Sequence, residues 1–139
     1  MTCDSKGKFL LIGNKKGSID QWDLKINKKV STVLDQLVNE ISSANICIQS
    51  SSELVATAGT ATTLAAIQMK MDEYDYHRVN NFLISRSEIE VIHQRLLPLT
   101  AQERLSIAGL EKGREDLIMA GITITTQVMD RFGFKRLKV

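Results

Sequence analysis

Apolar residues recur three and four apart at Val30, Val33, Leu34, Leu37, Val38 and Ile41, the spacing of an amphipathic helix with one buried face. Ahead of it, Phe9 to Ile12 and Ser18 to Ile26 read as strands. The turn-rich stretch Gly13-Asn14-Lys15-Lys16-Gly17 between them predicts a hairpin. The alternation of the second strand slips near Gln21, where a bulge is expected. Ser42, Ser43 and Asn45 end the helix, and Leu54 to Thr57 forms a short β-leaning run. There follows Ala58-Gly59-Thr60-Ala61-Thr62-Thr63-Leu64-Ala65-Ala66-Ile67, which reads as strand, tight loop, alanine-rich helix. Residues 74–81 are polar and read as a connection into an extended piece at Phe82 to Ile84.

Ser85 with Glu88 and Thr100 with Glu103 both match the S-x-x-E capping box, so two helices should begin there, parted by Pro98, with Gly109 stopping the second. A last helix is expected from Arg114 to Arg131, with Leu117, Ala120, Gly121, Ile124, Val128 and Phe132 facing inward and Gly133 ending it. Arg136 to Val139 reads as a terminal strand. The alternation of short strands with helices predicts an α/β protein, and the absence of internal repeats or a long linker predicts a single domain over residues 1–139.

With 139 residues, 43% hydrophobic and 24% charged, the composition is that of a globular domain with a packed core, not of a disordered or fibrous chain. No apolar run approaches the length of a membrane span and no leader pattern opens the chain, so a cytoplasmic setting without membrane partners is expected. Cys3 and Cys47 lack metal-ligand spacing and read as reduced thiols. The net charge of +2 is unevenly spread, at +4 over residues 1–29 and −2 over the rest. A basic front either attracts phosphate-rich partners or forms an ordinary solvated surface.

Several constellations fall short of a site. Gly13 to Ser18 has the wrong spacing for a P-loop and no lysine after its second glycine. Gly17 to Leu24 resembles the end of a propeller blade, but there is one copy only. His77 and His93 are isolated, and Asp72, Glu73 and Asp75 lack the further oxygen ligands that a cation needs, so no metal ligand and no catalytic residue is assigned. Basic and aromatic residues do not interleave as they do in nucleic-acid binders.

Gly59 to Thr63 is the stretch with chemical potential. Glycine lets the backbone approach an anion, the first N–H groups of a helix have no partner within it, and Thr60, Thr62 and Thr63 add hydroxyl donors. The same residues also suit a plain turn with a helix cap. On these residues the chain resembles the exopolyphosphatase and guanosine pentaphosphate phosphohydrolase (Ppx/GppA) family of actin-like ATPase folds. ATAGTATTLAAI (Ala56 to Ile67) is similar to that family's G-T-x-T-T-L loop. DYHRVNNFLISRSEIEVI (Asp75 to Ile92) resembles its R-V, strand and capped-helix arrangement, and ERLSIAGLEKGREDLIMAG (Glu103 to Gly121) its R-x-x-I-x-G-L-x-x-x-R-x-D-x-I-x-A-G pattern.

The resemblance implies the second lobe of an RNase H-like fold, with an N-terminal hairpin, short strands and an inserted helical pair. It implies a phosphate-binding part of a magnesium-assisted phosphohydrolase that removes terminal phosphate from inorganic polyphosphate or guanosine pentaphosphate. Gly59, Thr60, Thr62 and Thr63 would then form the contact loop. Lys6 and Gly7 would stand where the family has its D-x-G-G-G-S-x-E loop, of which Asp4-Ser5-Lys6-Gly7-Lys8 keeps the aspartate and one glycine. The family's first phosphate loop and catalytic glutamate belong to an N-terminal lobe that this chain does not contain. Its pattern continues beyond Val139 into S-D-x-G-L-R-E-G. The partner expected is therefore a complementary lobe or a second copy, and the alternative function is a non-catalytic binding or assembly module of the same fold. Arg104, Arg114 and Asp116, within the family-like pattern, read as salt-bridge residues that fix helices, in preference to direct substrate contacts.

Overall fold

A computed structural model describes residues 2–3, 9–13, 19–49, 51–57 and 59–139, with side chains from Lys28 onward. The chain packs as two compact units, Met1–Gln49 and Ser50–Val139.

In the first unit, strands β1 (Thr2–Cys3), β2 (Phe9–Gly13) and β3 (Ile19–Asp23) form an antiparallel sheet in that order. The expected hairpin is present. Its register runs unbroken from Phe9↔Asp23 to Gly13↔Ile19, so there is no bulge at Gln21. The turn residues 14–18 lie outside the described residues. The second strand is shorter than the sequence suggested, because helix α1 (Leu24–Ser43) already begins at Leu24. None of the described side chains of α1 is fully buried. The helix ends at Ser43, as expected; Ser42 and Ser43 donate back to the carbonyls of Val38 and Asn39, and Asn45, with φ of 55°, turns the chain out of it.

In the second unit, β4 (Leu54–Val55) pairs parallel to β6 (Arg136–Lys138), and β5 (Leu83–Ser85) pairs antiparallel to β6 on its other side. The terminal strand is thus the middle one. Helix α2 (Gly59–Gln68) follows β4. The polar connection contains a short helix, α3 (Tyr76–Val79), whose first amides at His77 and Arg78 donate to the Asp75 carboxylate. Both capping boxes form, opening α4 (Arg86–Leu96) and α5 (Ala101–Arg104).

Helix α5 is a single turn that stops before Gly109. That glycine instead has φ of +87°, and a Cβ there would run into the backbone of Ala66, so it lets the loop lie directly on α2. Helix α6 (Leu117–Phe132) ends on Gly133 in the left-handed conformation, as expected.

The core joins Leu64, Ile67, Ile84, Ile89, Ile92, Leu96, Ile118, Ile122, Met129 and Leu137 between one face of the sheet and helices α2, α4 and α6. The inward face expected for α6 holds at Gly121, against which Thr60 packs, and is overturned at Leu117, Ala120 and Ile124. Leu117 and Ile124 are 66% and 48% exposed, while Ile118, Met119, Ile122, Thr126 and Met129 are buried. The helix carries apolar residues on opposite sides, and its neighbours select the second set. Arg104, 9% exposed, donates to the carbonyls of Leu96 and Glu115, tying the end of α4 to the approach of α6. Among the described residues, no helix is long and apolar enough to cross a membrane.

Candidate phosphate site

Because β4 and β6 run parallel, their carboxyl ends lie at the same edge of the sheet. In open α/β sheets that edge is where ligands bind. Here it carries the start of α2, reached from β4 through residues 56–58, and the end of β6 at Val139, whose backbone bonds to Asn81 and Phe82.

Gly59 is the first helical residue rather than part of a preceding loop, so the stretch Gly59–Thr63 is the opening turn of α2. The helix starts this early because alanine and leucine populate its remainder and nothing in the first turn obstructs the helical backbone. Gly59 and Thr60 are half-buried. Thr60 packs against α6 where Gly121 has no side chain, and a Cβ at Gly121 would overlap the threonine. Thr62 Oγ1 donates to the Gly59 carbonyl at 3.2 Å. Thr63 is 3% exposed and belongs to the packed side of the helix. Lys6 and Gly7 lie outside the described residues.

Arg114, preferred as a salt-bridge residue over a substrate contact, comes to the same edge. The guanidinium of Arg114 lies over Gly59, in the space that a side chain on Gly59 would fill. Its charge is met by Glu111, with Nε 3.7 Å from the carboxylate, and its side chain remains 40% exposed. A salt bridge was expected of Arg114 and is present. Its place on the α2 N-terminus was not expected, since only the packing of α6 beside α2 brings the two segments together. Asp116 is the N-terminal flanking residue of α6 but makes no side-chain cap.

Other polar groups are separate from this edge. A hollow of about 90 Å³ is lined by Ala66, Met71, Asp72, Tyr74 and residues 109–111. An open groove of about 740 Å³ lies against Ser85, Arg86, Ser87, Glu90, Lys135 and Arg136. That groove is at the start of β6, the opposite end of the strand. Within it Arg86 binds both carboxylate oxygens of Asp130 and one of Glu90; Arg86 holds Asp130 below the usual carboxylate range, and Gln94 first, then Arg86, holds Glu90 below it. His93 has its Nε2 buried without a hydrogen-bond partner, and burial lowers its pKa. No group of three or more His, Cys, Asp or Glu that could hold a metal occurs among the described residues. Cys47 is free and exposed.

Comparison with known proteins shows what the chain is similar to. The sequence model of the Ppx/GppA phosphatase family matches residues 15–139. That match extends further forward than the motifs from Leu54 onward, and it leaves out Asp4 to Lys8. Exopolyphosphatase 2 of Mycobacterium tuberculosis is 29% identical over 89 residues, covering 61% of this chain and 28% of that protein. The Ppx-GppA enzyme of Aquifex aeolicus superposes with a TM-score of 0.61 at 24% identity, over 81% of this chain and 37% of that one. An exopolyphosphatase from Cytophaga hutchinsonii gives 0.59 at 20% identity, over 89% and 46%. These likenesses show the fold, which the chain shares with part of those Ppx/GppA structures. The chain spans less than a third of that curated relative and less than half of the two solved ones.

Proposed function

Since the chain belongs to the Ppx/GppA phosphatase family, we propose that it is the phosphate-binding lobe of a phosphohydrolase acting on the terminal phosphate of inorganic polyphosphate or guanosine pentaphosphate. The observation that carries this reading is the Arg114 guanidinium laid on Gly59 at the start of α2. A helix N-terminus carries roughly half a positive charge. The guanidinium beside it is paired with the Glu111 carboxylate but stays partly exposed, and a phosphate oxyanion would suit both the backbone N–H groups and the planar guanidinium fork. Gly59, Thr60 and Thr62 then offer the contacts. Thr63, turned inward, supports the turn from behind. In phosphoryl transfer such fixed donors stabilise the charge of the moving group.

Magnesium belongs to the reading through the family resemblance alone. The described side chains assemble no ligand cluster for it, so no step is assigned to the metal.

Titrating polyphosphate of defined length, and separately a guanine nucleotide, into the wild type, Arg114→Gln and Gly59→Ala tests the site. Affinity for at least one of the two ligands should fall by tenfold or more in both variants, with circular dichroism unchanged. Equal affinities, or no binding by the wild type, would remove the site. Phosphate release from polyphosphate by this chain alone would exclude the non-catalytic alternative.

A further inference from the structure

Gly121 stands in the middle of α6, where glycine weakens a helix, and its φ is not positive, so the backbone there does not require it. What it supplies is room. A Cβ at this position would come 2.7 Å from Cγ2 of Thr60 and closer still to its Oγ1. Both branches of Thr60 are thus turned toward α6, which leaves the backbone N–H as the group this residue presents to an anion. One residue earlier, the place of a Cβ on Gly59 is filled by the Arg114 guanidinium. Arg114 and Gly121 belong to one helical rod. The Ile118 N–H donates to the Arg114 carbonyl at 2.9 Å, the four-residue bond of a helix, and the step from Arg114 to Gly121 is about two turns. The two positions therefore share a face, and that face meets consecutive residues in the first turn of α2.

We propose that Gly121 is a positioning residue of the anion site. The notch it leaves sets how closely the first turn of α2 lies on α6, and so brings the N–H groups of that turn and the Arg114 guanidinium within reach of one phosphate. This role, which rests on the phosphate reading above, needs no contact between Gly121 and the ligand. A side chain at position 121 would press the first turn of α2 away from α6, while Arg114, carried on the α6 side, would keep its place. Donors that share one oxyanion act together only over a narrow range of distance and angle, so parting them weakens both. The obstruction is steric and local, and cutting back Thr60 relieves it.

Calorimetric titration of polyphosphate of defined length, and separately of a guanine nucleotide, into the full chain, Gly121→Ala, Thr60→Ala, the double variant and Arg114→Gln tests this role. For whichever ligand the wild type binds, Gly121→Ala should lower the affinity by about tenfold, the scale on which small misplacements act. The same substitution made in Thr60→Ala should change the affinity by less than about twofold, because the new Cβ then meets only the Cβ at position 60. Alanine is the better helix former, so the circular dichroism spectrum of Gly121→Ala should match that of the wild type and the lost affinity is not a loss of α6. No binding by the wild type, or wild-type affinity in Arg114→Gln, would overturn the phosphate reading and this role with it. Weak binding by Arg114→Gln beside wild-type affinity in Gly121→Ala would leave that reading standing and overturn the positioning role alone. So would a loss in Gly121→Ala that is as large with Thr60→Ala present, or a Gly121→Ala chain that does not fold, since the notch would then serve the fold at large.

Discussion

Ser85 and Glu88 satisfy one another over three residues. The Ser85 N–H and hydroxyl donate to Glu88 Oε2 at 2.7 and 2.6 Å, and the Glu88 N–H donates to Ser85 Oγ at 3.1 Å. The serine hydroxyl first, then its N–H, with a smaller part from Gln68, hold the Glu88 carboxyl below its ordinary value of 4.5. In the unfolded chain the group titrates near that ordinary value. The stability it lends is therefore complete above about pH 4.5 and is lost as the pH falls through the lower folded value. Glu88→Gln should accordingly lower the urea midpoint at pH 7 and show a smaller further drop than the wild type at about pH 3. Parallel titrations of both proteins check this, and identical pH profiles would contradict it. A box of this kind is legible in sequence because all its members lie within one helical turn. The meeting of Arg114 with Gly59 is not legible, because it depends on two helices crossing.

At the scale of elements, α6 shows where periodicity stops deciding. Its sequence offers an apolar set at Leu117, Ala120 and Ile124 and another at Ile118, Ile122 and Met129. Helical spacing accepts either. Contacts from α2 and α4, with Gly121 admitting Thr60, select the second. Truncating the buried set should leave a cavity, so Ile122→Ala is expected to cost about 2–4 kcal/mol. Leu117→Ala should stay within about 0.5 kcal/mol. Urea unfolding of the two variants at neutral pH measures the contrast, and the reverse order would restore the face that the sequence suggested. Helix α2 poses the same problem in another form. Glycine and threonine suggest a loop, but the alanine-rich stretch behind them propagates the helix back to Gly59.

For the whole molecule, the buried hydrophobic cluster and all three strands of the β4-β6-β5 sheet lie within residues 50–139. A fragment beginning at Ser50 should therefore unfold cooperatively in urea, followed by far-ultraviolet circular dichroism. A gradual, non-cooperative loss of signal would show that this core needs more of the chain. The sequence by itself determined the elements whose signals are local: the β2–β3 hairpin, both capping boxes, the Gly133 stop, and the motifs that mark the family. Tertiary structure alone decided the middle position of β6, the side of α6 that faces the core, and the placing of Arg114 on the start of α2. Local signals act within a turn or two of backbone, where hydrogen bonds and dihedral preferences suffice. These other choices compare alternatives of nearly equal local energy and are settled only when segments far apart in the chain exclude water together.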